Sequence, residues 1–411
     1  MSSIKKISSE QLRVGMFLHD LDCGWMEHPF LRNRFLIKSE DQIQRVIQAG
    51  IHDVYIDTAH GLDAANAPTA EEVREQIERQ MVEVAARQVA TPIRVSLAAE
   101  MGRAREIKDQ ASRLVRTVMR DVRLGKAVEM EQVEPVVQSI TESVLRNDSA
   151  LLTLLRIKNK DDYTFLHSVS VGTLLVAFCR GVGIDDETTR LAGLGGLLHD
   201  TGKALVPDEI LNKPGRLTDA EFEVIKRHPR DGWDILCRSP EIGAIPLDIT
   251  LHHHERVDGS GYPDKLAGDG ISTLAKMAAI VDVYDAITAD RCYHKGMPAT
   301  DALRKLYEWS KFHFEPTLVQ AFMRCVGIYP VGTLVRLESG RLGVVVAPHP
   351  ENLLTPQIKV IFSTKSQAYV TPYLLDLSRP VGAGGADRIV GHEDPAAWKI
   401  DTMRVLETHT G

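Results

Sequence analysis

Cysteine is scarce and carries no pairing pattern. Cys23, Cys179, Cys237, Cys292 and Cys325 include no C-x-x-C pair, which excludes a thiolate zinc site or a disulfide framework and suits buried thiols in a reducing compartment. Long apolar runs are missing too. None approaches the roughly 20 residues of a membrane span, and the opening MSSIKKISSEQLRVG lacks the apolar stretch of a signal peptide. A cytoplasmic chain without a membrane span is therefore expected. Positive charge is in deficit. With 49 Lys and Arg against 56 Asp and Glu the formal charge is −7, so the global field does not draw in a nucleic-acid polymer, and a polyanionic ligand must meet a local cationic pocket. What is present is ordinary for a globular protein: 411 residues, 44% hydrophobic and 26% charged, enough for two or three domains at about 150 residues each.

Residues 1–66 read as a small α+β unit. GMFLHDLD alternates like a strand, SEDQIQRVIQAG like a helix that starts with a Ser39–Gln42 capping box and stops at Gly50, and HDVYID like a second strand. GLDAANAPTA then suggests a linker. Residues 67–150 are rich in Glu, Arg, Gln, Val and Ala, with helical spacing in REIKDQASRLVRTVMRDV and VEPVVQSITESVL. These helices are candidates for a homodimer interface or for packing within one chain. Residues 151–328 remain helical, but histidines and aspartates now sit on apolar faces. From 329 to 411 the pattern turns to strands in GTLVRL, RLGVVVA, QIKVIFS and AYVTPYLLDL, with a flexible RPVGAGGAD near residues 379–387.

The chemistry lies in the third segment. In DDYTFLHSVSVGTLLVAFC, His167, Val171, Leu174 and Phe178 recur at helical spacing, which turns His167 inward. A lone inward histidine is more often a hydrogen-bonded core residue than a ligand. This one has company. LAGLGGLLHDTGKALVP sets His199 and Asp200 in an apolar run with Lys203 one turn on, and a buried carboxylate is costly unless paired or metal-bound. His228 precedes Pro229, and TLHHHERVDGSGYP supplies His252, His253 and His254. At most two of those three can share a ligand role on one helix face. Glu255 and Asp258 add acid, and the DGSG turn presents Tyr262 and Pro263 at a rim; the bland alternative is a glycine-rich surface turn beside a tag-like histidine run. AKMAAIVDVYDAITADRCYHKG places Asp282 and Asp285 on a helix otherwise made of Ala, Ile and Val, where an unpaired carboxylate would be expensive. Arg291, His294 and Lys295 follow, either as a solvated basic face or as a phosphate clamp. Imidazole and carboxylate donors without thiolates suit iron, manganese or zinc, and an aspartate such as Asp200 can bridge two ions. Two ions about 3.5–4 Å apart would make a bridging hydroxide and steady the leaving oxygen of a phosphoryl displacement.

The segment from about Asp161 to Gly327 resembles the HD-GYP domain, a bacterial subclass of HD-type metal-dependent phosphohydrolases that cleave cyclic di-GMP. The strings that carry the resemblance are YTFLHS, HDTGK, ILNKPGRLTDAEFEVIKRHP, HHERVDGSGYP and DVYDAITADR. The region before residue 66 looks like a small domain of unknown function that often precedes this module. The resemblance implies a mainly α fold, an all-helical HD-type domain with a small α+β N-terminal domain and a β-rich C-terminal extension. It further implies that His167, His199, Asp200 and Asp282 hold one metal, and that Asp200 bridges to a second held by His228, His253 and His254, with iron or manganese expected. Lys203 would steady the attacked phosphate, Tyr262 line the guanine or ribose side, Arg291 grip a phosphate, and Glu255 and Asp285 orient ligands. Tyr163 stands where some members have a glutamate for a third metal, so two ions are expected. In DRCYHK, Cys292 replaces the usual proline and His294 takes the basic position. The implied activity is hydrolysis of cyclic di-GMP to linear 5′-pGpG and onward to GMP. Two alternatives stand beside it: a catalytically weak cyclic di-GMP sensor that pairs with signalling proteins, and a hydrolase of another cyclic dinucleotide.

Overall fold

In the N-terminal sheet, β1 (Ile4–Ser8) pairs antiparallel with β4 (Asp53–Asp57), β4 with β2 (Phe17–Asp20), and β2 with the short β3 (Phe35–Leu36). The computed structural model describes residues 3–23, 30, 34–85, 95–156, 163–213, 215, 217–239, 241–289, 296–349, 352–379 and 387–407. Helix α1 (Glu40–Gln48) closes one face of that sheet, burying Ile43 and Val46 in a core with Ile7, Leu18, Val54 and Ile56. Its start differs from expectation. Ser39 makes no side-chain cap, and Gln42 Oε1 instead accepts from Lys38 N–H at 2.7 Å. Gly50, at φ +72°, ends the turn as expected. Strand alternation sends Lys6 and its cross-strand partner Tyr55 to the other face of the sheet, where Glu308 from a helix much later in the chain meets them.

Helices α2 (Ala70–Ala85), α3 (Leu97–Arg123), α4 (Met130–Arg146) and α5 (Asp148–Leu155) follow. Ala104, Ile107, Ala111 and Leu114 of α3 share one core with Val133, Val137 and Ile140 of α4. The apolar stripes of both helices are therefore covered within the chain. Glu100, buried on α3, accepts from Ser143 Oγ at 2.9 Å and from two Arg146 nitrogens at 2.8 Å on α4. That core continues into α6 (Tyr163–Gly181) and α7 (Asp186–Leu198). After a 3-10 turn at Thr201–Leu205 come α8 (Asp208–Leu211), α9 (Asp219–Ile225), α10 (His228–Leu236), α11 (Ala244–His252), α12 (Thr273–Thr288), α13 (Ala299–Trp309) and α14 (Pro316–Val326).

The C-terminal strands β5 (Leu334–Leu337), β6 (Arg341–Ala347), β7 (Gln357–Ser363), β8 (Ala368–Asp376) and β9 (Ile389–His392) form an antiparallel sheet in the order β8-β7-β6-β5-β9. Alternation splits it into two cores. Leu334, Leu342, Val344 and Val346 face Leu406 of α15 (Thr402–Glu407), while Val335, Val345, Ile358 and Val360 face the other way. Strand β9 had no signal strong enough to be read in the sequence, and residues 380–386 of the glycine-rich stretch lie outside the described residues. The fold is thus mainly α, with sheets near both ends of the chain. Thiols are less buried than the sequence suggests: Cys179 is buried, Cys23 and Cys325 are half-buried, Cys237 is exposed, and none of these four is in a disulfide. Among the described residues, no helix is long and apolar enough to cross a membrane.

Candidate metal centre

Close backbone packing brings five helices to one point. Helix α7 ends at Leu198 and hands His199 and Asp200 into the 3-10 turn, while His228 opens α10 with Pro229 behind it. The two meet because residue 202 is glycine: a Cβ there would lie 2.0 Å from His228 O and 2.5 Å from Gly232 N. His253 and His254 follow directly on α11, Asp282 and Asp285 lie on α12, and His167 lies on α6. His167, His199, Asp200, His228, His253, Asp282 and Asp285 are all buried.

Donor atoms of His167, His199 and Asp282 lie within 4.8 Å of one another, as do those of His199, Asp200 and His253 and those of His228, His253 and His254. Asp200 faces both sides of the cluster. Its Oδ2 is 3.4 Å from His199 Nε2 and 3.7 Å from His167 Nε2, and its Oδ1 is 3.3 Å from His228 Nε2 and 3.9 Å from His253 Nε2.

Hydrogen bonds behind the rings decide which nitrogen faces inward. His199 Nδ1–H donates to Gly196 O at 2.7 Å, His228 Nδ1–H to Ile225 O at 2.7 Å and His253 Nδ1–H to Thr250 O at 2.9 Å. A carbonyl can only accept, so the proton of each neutral ring sits on Nδ1 and the Nε2 lone pair points into the cluster. His228 Nε2 and His253 Nε2 are then only 3.2 Å apart, lone pair against lone pair. His199 Nε2 and Asp200 Oδ1 are buried without a hydrogen bond. A cation relieves both problems, and the N,O donor set fits a divalent transition metal.

Electrostatics point the same way. Burial, reinforced by neighbouring imidazoles, holds His253 and His254 well below the usual histidine range, which keeps them neutral. Burial alone would raise Asp200 and Asp282. The histidines around both, with Lys203 beside Asp200, outweigh it and hold the two carboxyls well below their usual range. For His167 the burial effect is outweighed by Asp282 and Asp285, so its pKa rises.

A cleft of about 750 Å³ opens over the cluster, and its lining includes His254, Asp282, Arg256 and Tyr262. Such a volume suits a ligand of dinucleotide size. The Tyr262 ring stacks on His254 at 4.7 Å. Gly261 lets this loop fold back, because a Cβ there would lie 2.4 Å from Arg256 N and 2.6 Å from His254 O.

Comparison with known proteins gives this geometry a family. Residues 4–133 match a domain of unknown function (DUF3391), and residues 149–318 match the HD domain. Over 406 residues, 98% of its own length and 96% of the relative's, the chain is 45% identical to the cyclic di-GMP phosphodiesterase PA4108 of Pseudomonas aeruginosa. The chain belongs to the HD-GYP family. Membership makes it a metal-dependent hydrolase. It is also similar to the cyclic di-GMP phosphodiesterase response regulator RpfG of Xanthomonas campestris, at 36% identity over 54% of this chain and 59% of that one. A third relative, 3′3′-cGAMP-specific phosphodiesterase 2 of Vibrio cholerae, is 39% identical over 31% of this chain and 24% of its own.

Within this HD-GYP hydrolase, the seven residues expected as ligands converge on one cluster, and Asp285 Oδ2 sits 2.6 Å from His167 Nδ1. Lys203 Nζ lies 2.6 Å from Asp200 Oδ2. His252 turns away and pairs with Asp248 at 2.8 Å. Glu255 does not orient a ligand: its carboxylate accepts from Asp264 N–H at 2.7 Å and Leu266 N–H at 3.0 Å and so shapes the loop that carries Tyr262. Arg291, Cys292, His294 and Lys295 lie outside the described residues, as does the side chain of Tyr163.

Sequence reasoning missed two constellations. Lys6 and Asp22 of the N-terminal unit form a buried charge cluster with Lys305 and Glu308 of α13, and His52 pairs with Asp258 at 2.8 Å. The available signal was Lys6 next to Ile7, which is buried on the opposite face of the strand; its partner Glu308 is 302 residues away.

Proposed function

We propose that this enzyme is a cytoplasmic cyclic di-GMP phosphodiesterase whose catalytic domain spans residues 151–328, between the 1–66 unit with its 67–150 helices and the 329–411 extension. The observation that carries the reading is the buried histidine and aspartate cluster under a dinucleotide-sized cleft, in a chain similar end to end to a protein named for that activity. His167, His199, Asp200 and Asp282 would hold one divalent ion, and Asp200 with His228, His253 and His254 a second, iron or manganese in each case. Two such ions would supply Lewis-acid activation of the attacking water and a charged clamp for the phosphate.

The chain's own groups do the rest. Asp285 fixes the His167 ring, and the three carbonyls behind His199, His228 and His253 fix theirs. Lys203, beside Asp200, adds positive charge where the phosphate oxygens gain negative charge. Tyr262, held flat on His254, offers a face to a base or ribose, and Arg291 grips a phosphate. Water adds at phosphorus, the bond to the ribose 3′ oxygen breaks, and the product is linear 5′-pGpG, which a second cleavage converts to GMP.

A second reading, hydrolysis of a hybrid cyclic dinucleotide, is favoured by the likeness to the cGAMP-specific relative. A sensor without turnover fits less well, since no ligand position is degenerate. Turnover of cyclic di-GMP, 3′3′-cGAMP and cyclic di-AMP under identical metal loading separates these readings. Preference for cyclic di-GMP by about tenfold or more in kcat/KM supports the proposal, and binding without product from any of the three sinks it.

A further inference from the structure

The cleft above the donor cluster has walls from two separate parts of the chain. Besides Tyr262 and Arg256, its lining includes Arg45, Gln48 and residues 49–51 of the N-terminal unit. That unit is seated in one register. On the second face of its sheet, Lys6 Nζ pairs with Asp22 Oδ2 at 2.7 Å and with Glu308, Lys305 Nζ pairs with Asp22 Oδ1 at 2.6 Å, and Tyr55 Oη–H donates to Glu308 at 2.5 Å. Any other seating would leave a buried charge unpaired. The second anchor is at the cleft itself. His52 shares its hydrogen bond with Asp258, and its ring stacks on Phe312 at 4.3 Å. Asp258 begins the DGSGYP loop that carries Tyr262, and a Cβ on Gly50 would lie 3.0 Å from Ser260 Cβ. The N-terminal turn therefore abuts the substrate loop directly.

A cyclic dinucleotide carries two phosphodiesters on opposite sides of its ring. With one at the donor cluster, the other half lies elsewhere in the cleft, whose wall the N-terminal unit helps to form. Arg45 of α1 is a cation on that wall: its guanidinium lies 5.3 Å from the Phe30 ring centroid and 3.7 Å from Asp219 on α9. A guanidinium resting on an aromatic face presents its planar fork to phosphate oxygens or to the O6/N7 edge of guanine.

We propose that the N-terminal unit is a built-in part of the substrate site, and that Arg45 binds the half of the cyclic dinucleotide that is not being cleaved. The inference rests on the cyclic-dinucleotide reading above. It assigns the unit a substrate-selecting wall rather than a remote sensing role.

Full-length, metal-reconstituted protein tests it with two substrates: cyclic di-GMP and bis(4-nitrophenyl) phosphate, a diester too small to span the cleft. The readout is the ratio of the two kcat/KM values. Loss of a charge-assisted contact in Arg45→Ala should lower that ratio about tenfold or more, through KM for cyclic di-GMP. An unchanged ratio overturns the proposal, whether both activities survive or both fall together. Asp219→Asn removes the carboxylate charge 3.7 Å from Arg45 but keeps the guanidinium; an equal fall of the ratio in that variant would reduce Arg45 to a tether and overturn the proposal. Wild-type protein that turns over the small diester but no cyclic dinucleotide would overturn the substrate reading, and this proposal with it.

Discussion

Gly202→Ala probes the packing that joins the two sides of the donor cluster. The added Cβ would lie 2.0 Å from His228 O and 2.5 Å from Gly232 N, both backbone atoms of α10, so no side-chain rotation relieves the clash. Ordinary contact begins at 3.4 Å, so the 3-10 turn and α10 must part by about 1.4 Å (3.4 minus 2.0). Asp200 Oδ1 and His228 Nε2 now stand 3.3 Å apart. A displacement of that size breaks a shared coordination sphere, because metal–ligand distances tolerate only about 0.2 Å. Overpacking of this kind costs about 1–3 kcal/mol, which lowers the melting temperature by several degrees without unfolding the chain. Misplacement by about 1 Å is worth roughly a hundredfold in rate. Plasma mass spectrometry should show metal content falling from about two ions per chain toward one, and kcat should fall about a hundredfold. A folded Gly202→Ala protein with wild-type metal content and turnover would refute the packing argument.

Asp285→Asn removes the charge behind His167, 2.6 Å from its Nδ1; chelator competition should show metal affinity weakened about 10- to 100-fold, and unchanged affinity would contradict that role. Asp22→Ala leaves buried Lys6 and half-buried Lys305 to share Glu308, with Asp53 3.2 Å from Lys6, at about 1–3 kcal/mol. Urea unfolding monitored in the N-terminal unit reads that loss, and a change below about 1 kcal/mol would show the cluster to be more solvated than its burial implies. Glu221, pulled down to about 2 by the Lys213 ammonium and the Thr218 N–H, should remain ionised at pH 3. Its stabilising effect is present above the unfolded glutamate value of about 4.3 and is lost as pH falls toward 2; an NMR titration midpoint near 4 would contradict the pairing.

The legible part of this protein is the part made of inward polar residues on apolar helices. His167, Asp200 and Asp282 stand out in sequence because a buried charge needs a reason, and the structure brings each to the same few ångströms. Strands with strict alternation, such as RLGVVVA and QIKVIFS, were readable for the same kind of reason. Other features depend on partners too far along the chain to be inferred. Lys6 reads as one more surface lysine until α13 supplies Glu308, and Arg45 reads as a solvated helix residue until α9 and the cleft stand opposite it. Glu255 was misjudged because adjacency to His254 suggested a ligand partner, whereas the tight DGSGYP turn brings two backbone N–H groups to its carboxylate. The Ser39 cap failed locally, since Gln42 reached Lys38 N–H rather than the N–H of Ser39.

The account depends on a metal pair that joins both sides of the cluster through Asp200. The direct measurement reconstitutes wild type and Asp200→Ala anaerobically with Fe(II) or Mn(II), counts metal per chain, and separates the products of cyclic di-GMP by chromatography. About two ions per chain and pGpG or GMP from the wild type, with loss of both metal and product in Asp200→Ala, is the predicted result. Wild-type turnover that survives complete chelation, or an active and metal-replete Asp200→Ala protein, would contradict it.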